Sequence, residues 1–182
     1  MAAGINALSG PLHGRANEAA LRQLMEIRDS HMPVRQFVQQ AKDQDSKIAG
    51  LCHRVYKSYD PLAAVVKDQL HQLTSHGEAT FNDNIRSLID VALELEDLAL
   101  HDEYFVSPPP PALPNVDFYT GLIYRGIGFA PEMFTTLFAL EGIPGWFAQY
   151  REILADPMTR IGRVRQVYTG EGQRRYMPID QR

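Results

Sequence analysis

The sequence predicts an all-α fold, and three observations carry that expectation. Apolar residues recur at i, i+3/i+4 over 15–28, 61–75 and 83–100. A helix-start signal stands where one is needed, as at Asp60-Pro61, an N-cap followed by proline at the first helical position. Strand-like alternation occurs only in the tail, from Arg163 onward.

Residues 1–10, MAAGINALSG, are apolar from the first turn and read as the end of a helix, which Gly10-Pro11 then breaks. A helix restarts near Arg15, with Ala20, Leu21, Leu24 and Ile27 on one stripe. His13 precedes it, at a helix N-terminus where the dipole and free N–H groups disfavour imidazolium. A neutral histidine there is a donor for a developing oxyanion, or a turn residue without a role.

After His31-Met32-Pro33 a short helix carries Val34, Phe37, Val38 and Ala41. The apolar segment IAGLCH, 48–53, runs into a second histidine, His53, with Arg54, Lys57 and Tyr59 close by. Histidine plus cations makes an anion site, or a solvated basic turn. The helix begun at Pro61 reaches about Ser75 on Val65, Val66, Leu70 and Leu73. From 82 to 100 runs the clearest helix, on Ile85, Leu88, Ile89, Ala92, Leu95 and Ala99. SPPPPALP, 107–114, favours an extended polyproline conformation and reads as a connector.

PNVDFYTG, 114–121, sets one carboxylate, Asp117, beside Val116, Phe118 and Tyr119. A poorly solvated carboxylate is a usable base. Alternatively Asn115 or Asp117 is simply the N-cap of a helix. The segment 131–154 is apolar nearly all round, through Met133, Phe134, Leu137, Phe138, Leu140, Trp146 and Phe147. Such a helix belongs in a large core or a subunit interface. The tail, basic through Arg163, Arg165, Arg174 and Arg175, reads as a short β-hairpin or an extended arm.

Composition narrows the function classes. With 182 residues, 45% of them hydrophobic and 22% charged, the chain builds a sizeable core and is not disordered throughout. A net charge of −4 offers no nucleic-acid surface outside the basic tail. One cysteine, Cys52, precludes an internal disulfide and fits a reducing compartment. No apolar run approaches the roughly 20 residues of a membrane span, and the N-terminus lacks a secretory signal's basic lead. The chain therefore reads as cytoplasmic, with no membrane partner.

Three stretches then line up in order and spacing: GPLHGRANEA at 10–19, GLCHRVYKSYDP at 50–61 and PNVDFYTG at 114–121. With RVRQVYTG and MFTTLFAL…GWFAQ they resemble citrate synthase along the whole chain. The resemblance implies a mostly helical homodimer that condenses acetyl-CoA with oxaloacetate to citrate and CoA, with no tightly bound cofactor and no metal. It makes Asp117 the base at the acetyl methyl, His13 the donor to the thioester oxygen, and His53 the group that polarises the oxaloacetate carbonyl. Leu51, Cys52, Arg54 and Lys57 match the segment lying along CoA. Arg163 matches an arginine contributed to substrate binding across the dimer. By the same resemblance, 1–12 ends a large-domain helix, 13–113 is small-domain-like, and 114–182 holds C-terminal large-domain helices and an arm.

The pattern is departed from at several positions. Leu62 and Gly142 stand where the family places arginines that grip substrate carboxylates. Arg15 and Cys52 stand where it has glycines, and the tetraproline replaces a charged stretch. The chain resembles only the family's C-terminal part. A homo-oligomer, or a partner chain supplying the N-terminal part, is expected. Alone, the chain is expected to be weak or inactive. The alternative is a non-catalytic relative that binds CoA or pairs with an intact synthase chain.

Overall fold

The computed structural model describes residues 2–8, 10, 14–52, 58–75, 81–107, 112–162 and 167–181. Among them the regular structure is helical, as expected, and no strand is longer than an isolated bridge. In order stand α1 (Ala2–Leu8), α2 (Ala16–Asp29), α3 (Val34–Asp43), α4 (Pro61–Ser75), α5 (Asp83–His101), α6 (Glu103–Val106), α7 (Val116–Gly126) and α8 (Phe134–Ala155). A 3-10 turn, Pro131–Met133, leads into α8. No helix of the described residues is long and apolar enough to cross a membrane.

The chain divides into two compact units, 1–146 and 147–182. In the first, α2, α5 and α7 pack on one another. Leu21, Leu24 and Ile27 of α2, Leu88, Ala92 and Leu95 of α5, Phe118, Tyr119 and Leu122 of α7 and Phe134 belong to one buried cluster. The predicted stripes of α2 and α5 are the buried faces. The Asn82 side chain accepts the Ile85 N–H at 3.2 Å and starts α5. Lys42 of α3 pairs with Asp102, whose carboxylate also caps α6 by accepting the Tyr104 N–H at 2.9 Å.

The inward face of α4 differs from the expected stripe. Val65 is 58% exposed, and the buried positions are Ala63 and Leu70, with Val66 and Leu73 half-buried. Position 63 is three residues before 66 and seven before 70, so these share a face, while 65 lies well off it. Ala63 is fully buried on this face of α4, which packs on α7, and local apolarity did not distinguish that face from the Val65 side.

The apolar α8 is only partly covered. Phe134 is buried, while Phe138 and Leu140 in the same unit are exposed. Pro144 lies inside the helix without ending it; it removes one i→i−4 donor, which an exposed helix tolerates by hydrating the freed carbonyl. In the second unit every described residue from 147 is exposed. The described stretch 167–181 holds no strand and closes on a 3-10 turn, Ile179–Gln181. Residues 163–166, where the hairpin or arm was expected to begin, lie outside the described residues.

Candidate functional site

The described site is built around the start of α7. Asn115 is its N-cap: the side-chain oxygen accepts the Asp117 N–H at 3.0 Å. That settles the two capping alternatives in favour of Asn115. Asp117 is the second residue of the helix and is half-buried.

Three contacts tie this turn to the segment 50–52. Asn115 N–H donates to the Gly50 carbonyl at 2.9 Å, Cys52 N–H to the Leu113 carbonyl at 2.9 Å, and Asn115 Nδ2 to the Cys52 carbonyl at 2.8 Å. Leu51 and Pro114 thereby form a single antiparallel bridge. Gly50 is required there. Its φ is +82°, and a Cβ would lie 2.8 Å from the Phe118 ring and 3.1 Å from the Phe118 Cα. Only a residue without a side chain lets the segment lie flat on α7.

Cys52 also has a positive φ, +78°. This gives a physical reason for the glycine that the resemblance expects at position 52: an L-residue with a Cβ is strained in this region. The thiol itself is free and exposed.

Asp60 fixes the other side. It is buried, its Oδ1 accepts the Leu62 N–H at 2.9 Å and its Oδ2 accepts the Val116 N–H at 2.9 Å. The residue read from sequence as the cap of α4 thus serves the first turns of α4 and α7 together.

Beneath α7 lies a polar cluster that the sequence reading missed. Glu96 of α5 is 2% exposed. Its Oε1 accepts from Tyr59 Oη at 2.5 Å, its Oε2 accepts from Tyr119 Oη at 2.5 Å, and Lys67 Nζ pairs with Oε2. Burial alone pushes the Glu96 carboxyl up; the donors Lys67, Tyr119 and Tyr59 outweigh it and hold it below the ordinary carboxylate range. Burial and the neighbouring carboxylate push the hydroxyls of Tyr59 and Tyr119 far above the ordinary phenol range. The available signal was positional: 96 follows 92 by four and precedes 99 by three, so it falls on the apolar stripe of α5.

Among the predicted site residues, the structure brings Leu51 and Cys52 to the N-terminus of the helix bearing Asp117. His13, His53, Arg54, Lys57 and Arg163 lie outside the described residues. Next to His13, the Gly14 carbonyl accepts from Thr135 Oγ1 at 2.5 Å, which links that turn to the start of α8. Leu62, in the first turn of α4, is 55% exposed. Gly142 faces Trp146: a Cβ there would lie 3.3 Å from the indole.

Comparison with known proteins places these features in context. Residues 1–165 match the family described as citrate synthase, C-terminal domain. The chain is 46% identical over 185 residues to citrate synthase of Corynebacterium glutamicum, covering all of this chain and 40% of that one. It is 49% identical over 181 residues to citrate synthase 1 of Mycobacterium tuberculosis, covering 98% of this chain and again 40% of that one. The citrate synthase of Thermoplasma acidophilum, solved in a ternary complex with carboxymethyl coenzyme A and oxaloacetate, superposes with a TM-score of 0.76 at 36% identity. That match covers 97% of this chain and 44% of the other. The chain thus spans about two-fifths of the length of the curated relatives it matches.

Proposed function

Since the chain belongs to the citrate synthase family, we propose that it carries the base-bearing share of a site that condenses acetyl-CoA with oxaloacetate to citrate and CoA. The observation that carries this reading is Asn115 at the head of α7. One side chain caps the helix of Asp117 and holds the Cys52 carbonyl, immediately before His53. In this reading Asp117 takes a proton from the acetyl methyl. His13 donates to the thioester oxygen as the enolate forms, the nucleophilic carbon attacks the oxaloacetate carbonyl, which His53 polarises and whose oxygen takes up a proton, and water then hydrolyses the resulting thioester, breaking the C–S bond to give citrate and the CoA thiol. Leu51, Cys52, Arg54 and Lys57 lie along CoA. Arg163 serves a neighbouring copy in a homo-oligomer, or a partner chain supplies the rest of the pocket. The setting is cytoplasmic.

Leu62 and Gly142 favour a second reading for the chain by itself, as a CoA-binding relative that does not turn over. Each lost charged hydrogen bond removes about 1.5–3 kcal/mol. Two lost arginines therefore weaken a dicarboxylate by on the order of 10³-fold or more.

The deciding assay is thiol release from acetyl-CoA with and without oxaloacetate, alongside calorimetric titration of each ligand. The chain alone should bind CoA better than oxaloacetate and form little citrate. Oxaloacetate-dependent release that Asp117→Ala abolishes would establish the catalytic reading for this chain. CoA binding without release, persisting in Leu62→Arg/Gly142→Arg, would establish the second.

A further inference from the structure

We propose that Glu96 is a positioning residue for Asp117, acting through Tyr119 on the same helix. The proposal rests on the reading of Asp117 as the base and extends it to a residue with no place in the chemistry.

Three features carry it. Glu96 gathers donors from separate parts of the chain: Tyr59 in the loop before α4, Lys67 on α4, and Tyr119 on α7. It thereby connects α4, α5 and α7 at one buried point. Next, Tyr119 is fully buried and held on more than its hydroxyl. Its ring meets Phe118 edge-on at 5.0 Å, and Lys67 Nζ stands 5.8 Å from the ring centroid. Finally, Tyr119 follows Asp117 by two residues, which is roughly 200° around a helix. The tether and the carboxylate therefore point to opposite sides of α7, and the tether sets the rotation of the helix about its axis. Turning α7 by about 10° moves a carboxylate at the side-chain radius by about 1 Å. A displacement of that size at a reacting group costs on the order of 10²-fold in rate.

Stability is a poor explanation for a buried ion pair in this place. Apolar residues of similar volume generally fold as well or better, because two charges must be desolvated. What the charged cluster adds is direction: Glu96 accepts in a fixed geometry from three donors, where an apolar residue allows α7 to rotate and slide.

The test labels the aspartate carboxyl carbons with 13C and follows Asp117 by NMR, its signal identified by loss in Asp117→Asn. Tyr119→Phe keeps the ring and cuts only the tether. It should shift the titration midpoint of Asp117 by about half a unit or more, because distances to its neighbours change. In an active preparation it should also lower kcat for thiol release by about tenfold or more, with KM for acetyl-CoA unchanged. Glu96→Gln keeps an acceptor for Tyr119 while losing the charge, and should give a smaller change of the same kind. Should Tyr119→Phe not fold, the Glu96→Gln spectrum decides. An Asp117 midpoint unmoved in a folded variant overturns the proposal, since the cluster then serves the fold alone. A moved midpoint supports the positioning role whether or not the preparation releases thiol, and an unmoved midpoint in a preparation that does release thiol overturns the proposal while leaving Asp117 as the base.

Discussion

Asn115 donates from Nδ2 to the Cys52 carbonyl at 2.8 Å, and that contact helps to hold a strained residue against the start of the helix that bears Asp117. Cys52 keeps a φ of +78° because its N–H and its carbonyl are both engaged, by Leu113 and Asn115.

Relieving the strain should stabilise the protein. Cys52→Gly removes the Cβ that opposes a positive φ, and the two backbone bonds are kept. Urea unfolding should show a gain of about 1 kcal/mol, the steric cost less the added chain entropy of glycine. A loss of similar size would mean that the Cys52 side chain contributes packing that outweighs its backbone strain.

Asn115 performs two tasks, which two substitutions separate. Asn115→Asp keeps the oxygen that accepts the Asp117 N–H but loses the donor to Cys52, and should cost about 1 kcal/mol. Asn115→Ala loses both, and should cost about 2 kcal/mol. Equal costs in denaturant titration would show that the bond to Cys52 contributes nothing.

The Glu96 cluster makes stability depend on pH in a defined direction. The folded carboxyl titrates below its unfolded value of about 4.5. Its contribution is therefore fully present above that value and is lost as pH falls through the folded one. The stability difference between the native chain and Glu96→Gln should be largest near neutrality and shrink in acid below about pH 4.5. The phenols run the other way. Tyr59 and Tyr119 titrate above the ordinary value of 10, so their contribution holds below it and fades only in strong alkali. Of the eight tyrosines, those two should stay un-ionised in an absorbance titration at 295 nm until the chain unfolds.

The sole tryptophan reports on position 142. Gly142→Arg puts a Cβ 3.3 Å from the Trp146 indole, so the ring gives by a few tenths of an ångström and gains a charged neighbour. Its fluorescence maximum should shift to the red. Leu62→Arg, at an exposed position, should leave both the emission and the stability within about 0.5 kcal/mol unchanged. An unshifted spectrum in Gly142→Arg would show that the new side chain leaves by another route.

Local spacing was enough to read α2, α3 and α5, because an amphipathic helix writes its buried face into a few neighbouring residues. Ala20, Leu21, Leu24 and Ile27 are buried, as are Leu88, Leu95 and Ala99. Asp60-Pro61 marked the start of α4 for the same reason. The motif around Asp117 was legible as a motif, but the octapeptide left Asn115 and Asp117 equally able to cap. The choice fell to the fold, because Asn115 alone reaches the Cys52 carbonyl, 63 residues away in the chain. Glu96 could be placed on the apolar stripe of α5, but its partners could not be read, for a related reason. A carboxylate on an apolar stripe is unfavourable until Tyr59, Lys67 and Tyr119 converge on it, and those partners lie 37, 29 and 23 residues distant. The exposed Val65 and the left-handed Cys52 follow the same logic. Which face of α4 turns inward, and which backbone conformation position 52 adopts, are decided by the approach of α7, a contact that no local pattern encodes.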